Sequence, residues 1–187
     1  MRDKCPWLWD IVEWINAVLF VLRYGRKMRK MGDVLKSYGQ DFRIYPIREV
    51  DVSELFSFFQ AQPQEDFTYF RPHGFDVKSL RKLQRNKAFL AYVVKDKGVI
   101  AGYFLLRSFF IGKCYRGYMV DHQHRGLGIN KLMARIATDI ASLLGLRTFG
   151  TIAPENLPSL NSSKSVNNVK IIKTLKNGDY YVEYCKK

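Results

Sequence analysis

The sequence has little of what builds rigid frameworks or metal centres. Its three cysteines, Cys5, Cys114 and Cys185, are odd in number, scattered and without a CxxC spacing, which argues against both a disulfide framework and a zinc site and makes a reducing cytoplasm the simplest home. Acidic residues are outnumbered 17 to 31 by lysine and arginine, giving a formal charge of +14, so the partner is expected to be anionic. Long apolar runs are missing too. The longest in the N-terminal region is Ala17 to Leu22, far short of the ~20 residues that cross a bilayer. Asp10 and Glu13 interrupt that region and no small-x-small site follows it, which excludes a secretory signal. There is no internal repeat, no GxxxxGK[ST] loop and no recognised single-strand or duplex-binding motif, so charge alone speaks for nucleic acid and that reading ranks last.

What is present is enough for one domain with a real core: 187 residues, 47% of them apolar. The division expected is a helical appendage over residues 1–40 and a folded domain over 41–187. In "PWLWDIVEWINAVLFVLRYGRKMRK" Asp10, Glu13, Asn16, Arg23 and Lys27 fall within an arc of roughly 140°, while Leu8, Ile11, Val12, Ile15, Val18, Leu19 and Leu22 cover the other side. That is an amphipathic helix. Trp7, Trp9 and Trp14 suit a headgroup boundary, and Arg23, Arg26, Lys27, Arg29 and Lys30 suit anionic lipid. Residues 6–30 are therefore expected to lie on the inner face of the membrane; the competing expectation is a helix packed on the domain or across a homodimer.

After residue 40 the pattern becomes mixed α and β. "DFRIYPI" reads as a strand, "DVSELFSFFQAQ" and "FDVKSLRKLQRN" as helices, and "AFLAYVVK", "VIAGYFLLRSFF" and "KCYRGYMV" as a three-stranded meander with a turn at Asp96-Lys97-Gly98. Helix "INKLMARIATDIASLLG", strand "RTFGTIA", a polar stretch "PENLPSLNSSKSVNN" and a strand pair around Asn177-Gly178 complete the chain.

Between the meander and the long helix lies "VDHQHRGLGINKL". A helix starting from a glycine-rich turn exposes unpaired N–H groups at its positive end, and glycine removes the side chains that would keep an anion away. The turn is thus a candidate phosphate cradle. It is not the dinucleotide fingerprint, because a meander rather than a βαβ unit precedes it.

This segment resembles the acetyl-CoA-binding signature Arg/Gln-x-x-Gly-x-Gly/Ala of the GNAT acyltransferase superfamily, with Arg125 at its start, Gly128 at the first glycine and Asn130 departing from the final small residue. The resemblance spans about Asp41 to Cys185. It implies a mixed α/β fold with a central, mostly antiparallel twisted sheet flanked by helices. It also implies acetyl-CoA as cosubstrate, with no metal. Its register implies that backbone amides along Gly126, Leu127, Gly128, Ile129 and Asn130, together with Arg125, hold the pyrophosphate, and that Met119 and Val120 pair with the pantetheine arm. Asn156 matches an asparagine that family members carry after the next strand. Seven residues on, where they carry a tyrosine acid, stands Ser163, and a serine hydroxyl reaches less far and is a poorer acid.

A base for the acceptor is sought among His73, His122, His124, Asp121 and Glu155. His73 lies in the crowded loop "YFRPHGFD", which is similar to Pro-His loops of acetyltransferase-like proteins from surface-polysaccharide pathways, and His122 is preferred over His124. His122 and His124 without further converging ligands make a weak metal pair. Together these features lead to the expectation of acetyl transfer to a small, anionic amine, such as an amino sugar on a nucleotide or lipid carrier, with a hydroxyl acceptor less favoured. A catalytically silent CoA-binding module or membrane adaptor is the alternative.

Overall fold

The computed structural model describes residues 6–39 and 42–187; Cys5 and the boundary at residues 40 and 41 lie outside the described residues. Strands β1 (Arg43–Pro46), β2 (Phe89–Asp96), β3 (Val99–Phe109) and β4 (Lys113–Val120) form an antiparallel meander. The β2–β3 turn closes through Lys97 and Gly98, both at positive φ. Strand β5 (Arg147–Ile152) then joins β4 in parallel, and β6 (Asn167–Thr174) and β7 (Tyr180–Lys186) complete a seven-stranded sheet of order β1-β2-β3-β4-β5-β7-β6.

The central strands read as nearly continuous apolar runs because both faces of the sheet are covered. Leu90, Tyr92 and Val94 of β2 join Phe104, Leu106 and Cys114 beneath helix α5 (Ile129–Leu144). The alternate residues Phe89, Ala91 and Val93 join Tyr103, Leu105 and Met119 beneath helices α3 (Val52–Gln60) and α4 (Val77–Arg85). Both of those helices begin where the sequence places an aspartate. Asp51 accepts the Ser53 N–H and Asp76 the Ser79 N–H, satisfying amides that have no partner within the helix. Helix α6 (Leu157–Val166) occupies the segment read only as a polar stretch; Asn156 caps it by accepting the Ser159 N–H.

The N-terminal segment forms helix α1 (Pro6–Met28) and a short helix α2 (Met31–Lys36). Phe20, Tyr24 and Met31 enter the α5-side core. The orientation of α1 is inverted relative to an ordinary surface helix. Its polar arc faces the domain: Asn16 donates to the Ser108 carbonyl at 3.0 Å and accepts the Phe110 N–H at 3.1 Å, and Arg107 reaches Glu13 at 2.9 Å. Lys82 pairs with Asp10 and Glu13, Arg23 donates to the Phe110 carbonyl and Lys27 to the Leu144 carbonyl. Leu8, Ile11, Val12, Ile15, Val18, Leu19 and Leu22 are exposed, as are Trp7, Trp9 and Trp14. No helix among the described residues is long and apolar enough to cross a membrane.

Candidate active site

The parallel ladder between β4 and β5 holds only for Lys113–Arg147, Cys114–Thr148 and Tyr115–Phe149. Beyond it β4 continues to Val120 with β3 on one side, and among the described residues no strand pairs with its other edge. That edge borders a cleft of about 860 Å³. Residues 116–120 form one wall, and the end of β5 with Asn156, Ser159 and Ser163 of the α6 region forms the other. Asp66, Thr68, Tyr69, Phe70, Arg71 and Pro72 close one side, and Asn177 and Asp179 from the β6–β7 turn close it further. Met119 points its side chain into the α3/α4-side core, so Met119 and Val120 can serve a bound chain only through their backbone.

At the mouth, Gly126 and Gly128 both take positive φ, 82° and 78°. A Cβ at either would meet nothing within 4 Å; the turn faces open space. Gly128 stands at the α5 N-cap without a side-chain hydrogen bond, and the first turn contains no acidic residue. The amides at the positive end of the helix are therefore left for an anion. Leu127 is exposed, while Ile129 is anchored in the core and fixes where the helix starts. Asn130 donates to Ser162 Oγ at 3.1 Å, so its departure from the small-residue pattern ties α5 to α6. Arg125 lines the cleft and holds both carboxylate oxygens of Asp66 at 2.5 Å. These residues fit a pyrophosphate and an extended arm: free amides outside, an unpaired strand edge within.

Behind the turn, buried Asp121 accepts from Gln62 Nε2 at 2.9 Å, from His124 Nδ1 at 2.7 Å and from the Gln123 N–H at 3.2 Å. Burial alone would raise its carboxyl group, yet these hydrogen bonds outweigh it and hold the group below the usual carboxylate range. His122 donates its backbone N–H to Gln62 Oε1, and its buried Nδ1 makes no hydrogen bond, lying 3.6 Å from Asp121 Oδ1. Neither His122 nor His124 lines the cleft.

His73 is placed elsewhere. Its ring is packed among Phe59, Phe75, Phe89 and Tyr103. Its neighbours Phe70, Arg71 and Pro72 reach the cleft, whereas His73 borders a separate 360 Å³ cavity under α1. Burial, with a smaller push from Arg107, depresses it to about 4 despite its bond to the Gly74 carbonyl. Of the five residues considered as base, Glu155 is the one that borders the cleft. Ser163 is buried in the cleft wall and accepts a 3.4 Å contact from Arg116 Nη2, leaving its own hydrogen free. Among the described residues no group of three or more His, Cys, Asp or Glu is arranged to hold a metal.

Sequence reasoning missed Arg116 and Tyr118, which line the same cleft. A signal was available: in "KCYRGYMV" the arginine shares a strand face with Cys114, Tyr118 and Val120, an apolar register in which a charge is out of place.

A mixed sheet with one splayed parallel pair, opening beside a glycine turn and a bare helix start, has the architecture of an acetyl-CoA-using transferase. The acetyltransferase (GNAT) family profile matches residues 48–162, and the chain belongs to that family. Among solved structures it is similar to the GNAT domain of S. lividans PAT (TM-score 0.65, 15% identity, covering 76% of this chain and 89% of that one). It is also similar to the Campylobacter jejuni N-acetyltransferase PseH (0.59, 19%, 79% and 99%). A third likeness is to yncA, a putative acetyltransferase from Salmonella typhimurium solved with its cofactor acetyl-CoA (0.57, 17%, 79% and 94%). No curated protein matches the sequence.

Proposed function

We propose that the chain is an acetyl-CoA-dependent N-acetyltransferase that acts on a small anionic amine at a membrane surface. The observation carrying the transfer reaction is the unpaired β4 edge running from the glycine turn into a cleft that continues between Thr68–Pro72 and the Asn177–Asp179 turn. One end suits a pyrophosphate, and the other leaves room for a second substrate bounded by Tyr69 and Arg71. Held together there, the amine lone pair forms the C–N bond, the C–S bond breaks with its electrons on sulfur, and the nitrogen proton leaves to water beside Glu155. In this reading a β4 amide near Val120 polarises the thioester carbonyl. Calorimetry with acetyl-CoA followed by turnover on nucleotide amino sugars, peptides and polyamines tests this reading. Absence of acetyl-CoA binding refutes it, binding without turnover on any acceptor favours a silent module, and a hydroxyl product overturns N-transfer.

The membrane part rests on the inversion of α1. A polar stripe bonded to the domain and an apolar stripe turned outward are the reverse of what burial in this chain would require. Exposed Trp7 and Trp14, with exposed Arg26, Arg29 and Lys30, suit anionic lipid better than a dry protein contact. Co-sedimentation with anionic but not neutral vesicles, weakened by salt, is expected. A concentration-dependent dimer that ignores vesicles would instead place a second copy on α1.

A further inference from the structure

Arginine 116 is only 8% exposed, and no described residue cancels its charge. Nη1 donates to Asn167 Oδ1 at 2.7 Å and Nη2 to Ser163 Oγ at 3.4 Å. The guanidinium carbon sits 3.2 Å from the centroid of the Tyr184 ring and 5.2 Å from that of Tyr118. Among the described residues no carboxylate lies within 4 Å of it, and Nε has no partner. A buried cation without a counter-charge is costly, and an anion arriving in the cleft would relieve that cost.

The neutral partners fix its position. Asn167, itself buried, donates its amide to Thr138 Oγ1 at 2.9 Å, and Thr138 donates to the Ala134 carbonyl at 2.7 Å, so the Asn167 oxygen is turned toward Arg116. A second orphan lies beside it: the hydroxyl of Tyr118 is buried without a hydrogen-bond partner. Burial raises its ionisation above the ordinary phenol value, so it keeps its proton as a donor. Arg116 and Tyr118 lie two residues apart on β4 and both line the cleft. The pyrophosphate has its own place at the glycine turn, outside. The anion that acetyl transfer creates inside the cleft is the sulfur left when the thioester bond breaks.

We propose that Arg116, with the Tyr118 hydroxyl, receives the departing sulfur as a thiolate, which accounts for a chain without a tyrosine at position 163. This rests on the acetyl-CoA reading above. The amine nitrogen forms the new bond to the carbonyl carbon, the carbon–sulfur bond breaks with both electrons on sulfur, and the nitrogen proton goes to water. The sulfur leaves unprotonated, paired with the guanidinium and hydrogen-bonded by the phenol, so no strong acid is needed at Ser163.

The test uses the full chain with CoA bound. Thiol ionisation is followed across pH by mass-spectrometric measurement of CoA alkylated with iodoacetamide, which separates it from Cys5 and Cys185. The bound thiol is expected to titrate at least ~1 unit below free CoA, and Arg116→Met to return it to the free value. In turnover, Arg116→Met should lower kcat about 10²-fold with the KM for acetyl-CoA within about threefold. Should that variant fold poorly, Tyr118→Phe, which removes one oxygen, should raise the bound thiol part of the way and lower kcat about fivefold. A protein that binds no CoA refutes the acetyl-CoA reading itself. One that binds CoA with an unshifted thiol overturns this inference alone. So does a wild type that prefers succinyl-CoA and loses that preference in Arg116→Met, since the arginine would then be reading an acyl carboxylate.

Discussion

The hydroxyl of Tyr103 and Nε2 of His73 lie 2.9 Å apart, and His73 Nδ1 lies 2.8 Å from the Gly74 carbonyl. A carbonyl only accepts, so Nδ1 carries the hydrogen and Nε2 accepts from the tyrosine. Both ring nitrogens are engaged and the ring is neutral. Its ionisation is depressed to about 4 from an ordinary 6.5, so the unfolded chain binds the proton more readily than the folded one. The associated stability is fully present above pH 6.5 and is lost as pH falls toward 4, amounting to at most about 3 kcal/mol. Thermal unfolding should show this decline between those pH values, and His73→Phe should flatten it. The placement also favours a supporting role: turnover should follow stability in His73 variants, and a loss of kcat in a fully folded His73→Ala protein would restore His73 as a base.

Gly128 is expected to be the most sensitive position for cofactor binding. Its φ of 78° costs a side chain about 1–2 kcal/mol, and a glutamate there would place a negative charge at the proposed phosphate site. Gly128→Ala should weaken acetyl-CoA binding about tenfold, whereas Gly128→Glu should abolish the rise in melting temperature that acetyl-CoA gives the wild type.

Asp121 ties α3 to the turn before the cradle through Gln62 and His124. Asp121→Ala should cost about 2–3 kcal/mol by leaving buried donors unpaired. Its carboxylate is held below the ordinary range, so this contribution is present above pH ~4 and lost as pH falls further. Chemical denaturation measures the cost; an effect under about 0.5 kcal/mol would mean that the donors find other partners.

On α1 the usual hierarchy of positions is reversed. Asn16→Leu removes a two-point bond to the backbone of β3 and its following turn and should cost about 2 kcal/mol, opening the helix to limited proteolysis. Leu22→Gln, at a site 77% exposed, should change stability by less than about 0.5 kcal/mol while weakening vesicle binding.

The meander and the long helix were readable because burial on both faces leaves dense apolar runs bounded by Gly98, Gly112 and Gly145. The glycine turn was readable because two glycines before a helical period have few other uses. Helix α6 was not, since "LPSLNSSKSV" has almost no apolar face; its one cue was Asn156 ahead of Pro158, a capping residue followed by a proline in the first turn. The periodicity of α1 disclosed two faces but not which one meets the domain, because that choice depends on backbone groups at Ser108 and Phe110 more than ninety residues away. His73 illustrates a related limit. The crowding in its loop marks a packed place, while the side of the sheet on which it ends is decided by Tyr103 and Gly74.

The three-residue seam between β4 and β5 also divides the sheet for folding. On one side lie four strands joined in chain order, β1 to β4; on the other lie three, β5, β7 and β6, joined to the first group by that seam and by the helices α5 and α6. The first group closes mostly local pairings and can form early. The second depends on α5 being seated and should exchange its amide hydrogens at lower opening free energy. A bound chain spanning the gap would bridge the two plates, so acetyl-CoA should slow exchange most in β5 and β7 and make two partly independent units unfold as one.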